Sequence, residues 1–185
     1  MSGIERLTQR ARHVLSLAHQ EAERLHQTQI DTEHLLLGLV LEEDGVAGRV
    51  LKELNVSPER LLDMVERLTV RTQKRTTKLE LSADTQQSLE NAFDEARQLR
   101  HRYIGTEHLL LGLIRLTSGP AFEILKNLGI SPDQIRRQTR RIMQESTGLA
   151  ATGEPVSSKR STQKADAQSQ TKTPLVDQLA VDLTT

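Results

Sequence analysis

Cysteine and tryptophan are absent from this chain, and only one tyrosine and two phenylalanines stand among its 185 residues. Without cysteine there is no disulfide, no thiolate zinc site and no cysteine nucleophile, a usage that fits the cytoplasm. Aromatics make up 2% of the chain, too few for a β-sandwich core or a base-stacking surface. Neither sign of charge is in excess. The 25 basic and 25 acidic residues cancel, so no global field draws nucleic acid or an anionic membrane. No apolar run approaches the ~20 residues that span a bilayer. The opening stretch MSGIERLTQRARHVL is charged and periodic, unlike a secretory signal. Catalytic signatures are missing as well. There is no Gly-Lys pair, hence no phosphate-wrapping Walker loop, and no His-Glu-x-x-His. His13, His19 and His26 are six and seven apart, not the four that lets a helix grip a metal. No nucleophile elbow appears. The expectation is a protein that is not an enzyme, with no cofactor and no metal.

What is present is a duplication. The octet TEHLLLGL occurs at residues 32–39 and again at 106–113. Sliding the chain by 74 places aligns residues 7–68 with 81–142 without a gap, and 23 of those 62 positions are identical. Gly45 meets Gly119, and Ser57-Pro58 meets Ser131-Pro132.

Each repeat reads as four helices. The first runs from near Thr8 to His26, with Leu7, Ala11, Val14, Leu15, Ala18, Ala22 and Leu25 on one face; Ser82 caps its counterpart. The octet starts the second helix, with Thr32 or Thr106 as the expected N-cap. Glu33 or Glu107 falls in the first turn, where an acid meets the positive end of the helix dipole. Leucines around most of the circumference make this helix central. A short third helix follows Gly45 or Gly119, and Ser-Pro opens the fourth. One repeat alone is marginal in size. The expected fold is therefore all-α: two pseudo-symmetric four-helix repeats, eight helices, packed as one globular domain over residues 1–145 (repeat one 3–70, repeat two 78–145). Residues 146–174, rich in Ser, Thr, Gln, Gly and Ala, read as a disordered linker. Residues 175–185 recover an apolar spacing in a segment too short to be a stable helix alone.

Two sets of repeated residues are candidates for a site. His34 and His108 read as helix-start histidines that bond a nearby carbonyl. Glu33 and Glu107 are open to two readings. They complement the helix dipole, which is worth ~0.3–1 kcal/mol. They also form a two-part receptor with the helix start: the acid takes a guanidinium in bidentate fashion, and the free amides and threonine hydroxyl take an anion.

The stretch RARHVLSLAHQEAERLHQTQIDTEHLLLGLVLEEDGVAGRVLKELNV, answered by LENAFDEARQLRHRYIGTEHLLLGLIRLTSGPAFEILKNLGI, resembles the N-terminal repeat domain of the Clp ATPases, ClpC type, over residues 3–145. The final TPLVDQLAVDLTT is similar to the segment that opens the first ATPase domain of those proteins. The resemblance implies a domain that recruits protein substrates and adaptors to a Clp ATPase and protease, without the ATPase modules. In some ClpC proteins such a domain binds phosphoarginine at two repeat-related sites. By that resemblance Glu33 and Glu107 hold the guanidinium, and Thr32 and Thr106 begin the phosphate-facing turn. There are departures. Asp31 stands where the family usually has glycine, which weakens the first site more than the second, and Pro120 and Phe122 alter the loop of the second repeat.

Two other readings compete. One is a stand-alone accessory subunit that docks on a Clp complex. The other is a binder of nucleic acid or an acidic partner, suggested by Arg136, Arg137, Arg140 and Arg141 and by Arg71, Lys74, Arg75 and Lys78; zero net charge and a single tyrosine count against nucleic acid.

Overall fold

Short hydroxyl side chains open four of the described helices where the sequence places them, and the computed structural model describes residues 3–69 and 78–147. After a 3-10 turn at Gly3–Arg6, helix α1 (Gln9–Arg24) is capped by the Thr8 hydroxyl, which accepts the Ala11 amide at 3.1 Å. Helix α4 (Pro58–Leu68) is capped by Ser57, and α5 (Ala83–Gln98) by Ser82. Between α1 and α4 lie α2 (Thr32–Leu41) and α3 (Val46–Glu53); after α5 come α6 (Thr106–Leu113) and α7 (Pro120–Asn127). Helix α8 covers residues 132–147 and opens on Ser131, whose hydroxyl accepts the Gln134 amide. Among the described residues there are thus eight helices in two sets of four, as expected. Connector residues 70–77, all but the first two residues of the linker expected at 146–174, and the segment 175–185 lie outside the described residues.

The first helix ends at Arg24, two residues short of the expected His26. His26 instead adopts a left-handed backbone (φ 56°), and its counterpart Arg100 does the same (φ 59°). Such a residue closes a helix by turning the next amides back on its last carbonyls: Gln27 N donates to Ala22 O, and His101 N to Ala96 O.

Two short parallel pairings that periodicity does not reveal stitch the repeats together. β1 (Gln29–Ile30) pairs with β2 (Glu80–Leu81), Ile30 opposite Leu81. Leu7 bridges Ile104 in the same sense. Leu7 and Leu81 are equivalent positions, as are Ile30 and Ile104, so the same pairing is made twice with the roles exchanged.

α2 and α6, the octet helices, sit at the centre. Leu35, Leu36, Leu39, Leu109 and Leu110 are fully buried. α2 packs on α5, α6 and α7 of the other repeat, and α6 packs on α1 and α3. The described residues up to Ile142 accordingly form one compact unit. The octet glycine sets how closely each central helix meets its long neighbour. A Cβ on Gly38 would lie 2.5 Å from the Val14 carbonyl oxygen, and one on Gly112 would lie 2.5 Å from both Ser88 O and Ala92 N. Backbone cannot yield as a side chain tip does. Gly112→Ala is expected to lower stability by about 1–3 kcal/mol or more, read as a lower urea midpoint at unchanged slope.

Among the described residues, no helix is long and apolar enough to cross a membrane. Of the four arginines clustered on α8, Arg141 reaches Glu53, which also accepts from the Gln138 side-chain amide, and Arg136 lies 3.9 Å from Glu95. Two of those four arginines are thus paired with acids of the domain itself.

Candidate functional site

The octet threonines do not cap their own helices. Asp31 is the N-cap of α2 and Gly105 that of α6, which puts Thr32 and Thr106 one position inside. The expected cap is corrected by one residue, because the preceding position already has the extended backbone a cap needs. The threonines serve the opposite repeat. Thr106 Oγ1 accepts the Ala47 amide at the start of α3, and Thr32 Oγ1 accepts the Ala121 amide at the start of α7, both at 3.2 Å. Both threonines are buried. Each faces the repeated glycine: a Cβ on Gly45 would come 2.7 Å from Thr106 Oγ1. The identity of Thr and Gly in both halves thus has a shared cause, a reciprocal cap across the domain. Thr106→Val keeps the shape, orphans the Ala47 amide, and is expected to cost about 0.5–2 kcal/mol in thermal or chemical denaturation.

The histidines also differ from expectation. His34 Nδ1 accepts the Asp31 amide and His108 Nδ1 the Gly105 amide, each at 2.9 Å, so they bond an amide and not a carbonyl. With Nδ1 accepting, the proton sits on Nε2. His108 Nε2 then donates to His101 Nδ1 at 2.8 Å, and the His101 ring stacks on Tyr103 with centroids 5.2 Å apart. Burial holds both histidines down to about 4, with His101 and Arg6 adding to the effect at His108 and Asp31 opposing it at His34. They are neutral at pH 7.

Glu33 and Glu107 are therefore not ion-paired, although each has a histidine ring nitrogen 3.8–3.9 Å away. Among the described residues, neither carboxylate has an arginine or lysine within 4 Å. Burial pushes Glu33 up to about 7, and the Asp31 charge adds to it. Burial raises Glu107 too, opposed by its own backbone amide and by His101.

The two acids differ in what adjoins them. Glu107 lines an open cleft of about 390 Å³. One wall is the start of α1, Thr8 to Arg10; another is Gly45 and Val46 at the start of α3; Tyr103, Gly105 and Thr106 complete it. Arg10 is tethered at the rim by a bond from Nη1 to the Asp44 carbonyl at 3.0 Å. Helix starts carry positive dipole ends, and here α1, α3 and α6 all begin at the cleft, with the Ala11 amide already held by Thr8 and the Ala47 amide by Thr106. One carboxylate, one guanidinium and three helix starts suit a ligand that carries a cation and an anion together. Glu33 has a different setting. Its Oε2 is buried and has no hydrogen-bond partner among the described residues. Of the four residues singled out in the sequence, Glu107 and Thr106 share one cleft, while Glu33 and Thr32 stand at the counterpart position. Sequence reasoning missed Arg10, Val46 and Tyr103, which reach the cleft only through the packing of one repeat on the other. Gly45 alone carried a signal, its recurrence as Gly119.

The family model for the Clp repeat N-terminal domain matches residues 6–85 and 80–173. The chain belongs to that family. It is 40% identical over 180 residues to the negative regulator of genetic competence ClpC/MecB of Bacillus subtilis, covering 97% of this chain and 21% of the relative. It is 38% identical over 179 residues to the ATP-binding subunit ClpC of the Clp protease of Staphylococcus aureus, covering 97% and 20%. The chain thus spans about a fifth of the length of these ClpC relatives. Among solved structures it is similar to the N-terminal domain of ClpD from Arabidopsis thaliana, with TM-score 0.64 and 23% identity, covering 76% of this chain and 96% of that one. It is similar also to the N-domain of ClpV from Vibrio cholerae, with TM-score 0.63 and 16% identity, covering 77% and 87%. At those identities the structures establish the Clp N-domain fold alone.

Proposed function

We propose that this Clp N-domain recruits proteins to a Clp ATPase–protease by gripping phosphoarginine, Glu107 holding the guanidinium and the helix starts beside Thr106 facing the phosphate. Glu33 and Thr32 hold the aligned positions in repeat one. The observation that carries the reading is the unpaired Glu107 carboxylate at a cleft into which α1, α3 and α6 open. A carboxylate takes a guanidinium through two parallel charge-assisted bonds. Arg10 and the helix dipoles supply the complementary charge for the phosphoryl group. The Thr106 hydroxyl is already committed to Ala47, so the phosphate-facing role falls to the amides of that turn and not to the hydroxyl. The ClpC relatives named above belong to ATP-dependent protease systems or regulate competence, which agrees with a recruiting role for this domain.

Calorimetric titration of the 185-residue chain with free phosphoarginine, free arginine and inorganic phosphate tests the proposal. Phosphoarginine is expected to bind at least tenfold more tightly than either half alone, because each half engages only one part of the receptor. No heat from phosphoarginine up to the millimolar range, or an affinity matched by arginine alone, contradicts it.

A further inference from the structure

The two halves of a duplicated domain invite the assumption of two equivalent sites. We infer that the duplication has left one zwitterion site, that of Glu107, and that Asp31, Asp84 and Pro120 have removed the anion-binding half of its repeat-one counterpart. This rests on the phosphoarginine reading given above and concerns how many such ligands the chain holds.

Three aligned positions carry the inference. Gly105, the bare N-cap of α6, corresponds to Asp31, whose carboxylate caps α2. Arg10, at the start of α1, corresponds to Asp84 at the start of α5. Val46, at the start of α3, corresponds to Pro120 at the start of α7. The first exchange places a fixed anion where the guest's anion would sit. Asp31 Oδ1 accepts the Thr32 amide at 2.8 Å and the Ser82 hydroxyl at 2.9 Å, so one internal carboxylate engages the starts of both α2 and α5. The second exchange reverses the charge at the rim. Asp84 Oδ2 lies close to the start of α7, 3.4 Å from where a Cβ on Gly119 would be. The third deletes a donor, since proline has no backbone N–H. Counted by formal charge, the Glu107 cleft offers one acid and one base. The repeat-one position offers Glu33, Asp31 and Asp84, three acids with no base among the aligned residues. A phosphoryl group carries close to two negative charges at neutral pH and is repelled there.

The same exchange also moves the acid meant for the guanidinium. At Gly105 a Cβ would come 2.5 Å from Glu107 Oε2 and 2.9 Å from its Cδ, so the Glu107 carboxylate lies folded against a residue with no side chain. Asp31 has a Cβ. Glu33 therefore cannot take the Glu107 pose, and its Oε2 is withdrawn from the surface. One substitution, glycine to aspartate, both fills the anion position and displaces the cation receptor.

The test is the stoichiometry of phosphoarginine binding to the full chain by titration calorimetry, with Glu33→Ala and the triple variant Asp31→Gly/Asp84→Arg/Pro120→Val beside it. The inference expects about one ligand per chain, no change in affinity or stoichiometry for Glu33→Ala, and a rise toward two ligands in the triple variant. A stoichiometry near two in the unaltered chain, or a loss of sites in Glu33→Ala, overturns the inference while leaving the phosphoarginine reading intact. No binding at all overturns both. The unaltered chain and Glu33→Ala decide the matter without the triple variant, should its circular dichroism show that it does not fold.

Discussion

Acidification from pH 7 to pH 4 is expected to destabilise the domain through His34 and His108, and His34→Gln/His108→Gln should remove most of that loss. Both imidazoles are fully buried and held down to about 4 from an ordinary value of 6.5. The unfolded chain therefore takes up protons that the native state refuses. Their contribution is fully present above pH 6.5 and is lost as the pH falls toward 4, on the order of 3 kcal/mol for each ring. Glu33 acts in the opposite direction. Its carboxyl is raised from 4.5 to about 7, so its contribution is present below 4.5 and is lost as the pH rises through 7, again on the order of 3 kcal/mol. The net curve should thus peak near neutrality with a partly compensated acid limb. Glutamine at the third helical position reproduces the capping acceptor without titrating. The comparison to make is the slope of unfolding free energy against pH, not the absolute stability, which the loss of ring packing lowers at every pH. In urea melts, the double glutamine variant should be flat or rising from pH 6.5 to 4.5, because Glu33 then acts unopposed. Glu33→Gln should steepen the acid limb and raise stability above pH 7. An acid limb unchanged by the double variant would mean that these rings are not the groups being protonated.

The second large effect concerns the cleft. Glu107→Gln is expected to weaken phosphoarginine binding by about 10- to 100-fold, the loss of a charge-assisted bond worth about 1.5–3 kcal/mol. Gly105→Asp should do at least as much without touching the acid itself. Its Cβ enters the space now held by Glu107 Oε2, and its carboxylate can cap α6 as Asp31 caps α2. Such a cap should hold or raise thermal stability by a few tenths of a kcal/mol. Affinity and stability would then move in opposite directions, which general damage to the fold does not produce. Equal binding by Gly105→Asp and the parent would show that the Glu107 pose is irrelevant to the guest.

The helices were legible because their determinants are local. Thr8, Ser57 and Ser82 sit beside the amides they cap, and the 3.6-residue spacing of Ala11, Val14, Ala18 and Ala22 lies within one helix. The duplication supplied the rest of the architecture, since a gapless 74-residue offset repeats every helix. The octet helix start was read one residue late because threonine and aspartate are both good caps and the pattern cannot rank adjacent ones. The function of the threonines was not legible at all. Their partners Ala47 and Ala121 are 59 and 89 residues away, and no periodicity shows which helix start is brought to which. The pairing of Leu7 with Ile104 and of Ile30 with Leu81 escaped for the same reason. At the site, Glu107 could be named from its repetition and from the family resemblance. That Arg10 and Val46 face it depends on packing between repeats, and the burial of Glu33 Oε2 with no hydrogen-bond partner among the described residues follows from the Cβ of Asp31.

The most direct test of the central claim, that the Glu107 cleft receives a mixed-charge guest, is a backbone amide NMR titration of the full chain with free phosphoarginine. The account expects saturating shifts at Arg10, Val46, Ala47, Thr106 and Glu107, absent when Glu107→Gln replaces the parent. Saturating shifts confined to another surface, such as the apolar groove between Phe122 and Ile130, with the amides at the starts of α1, α3 and α6 unmoved, would contradict it.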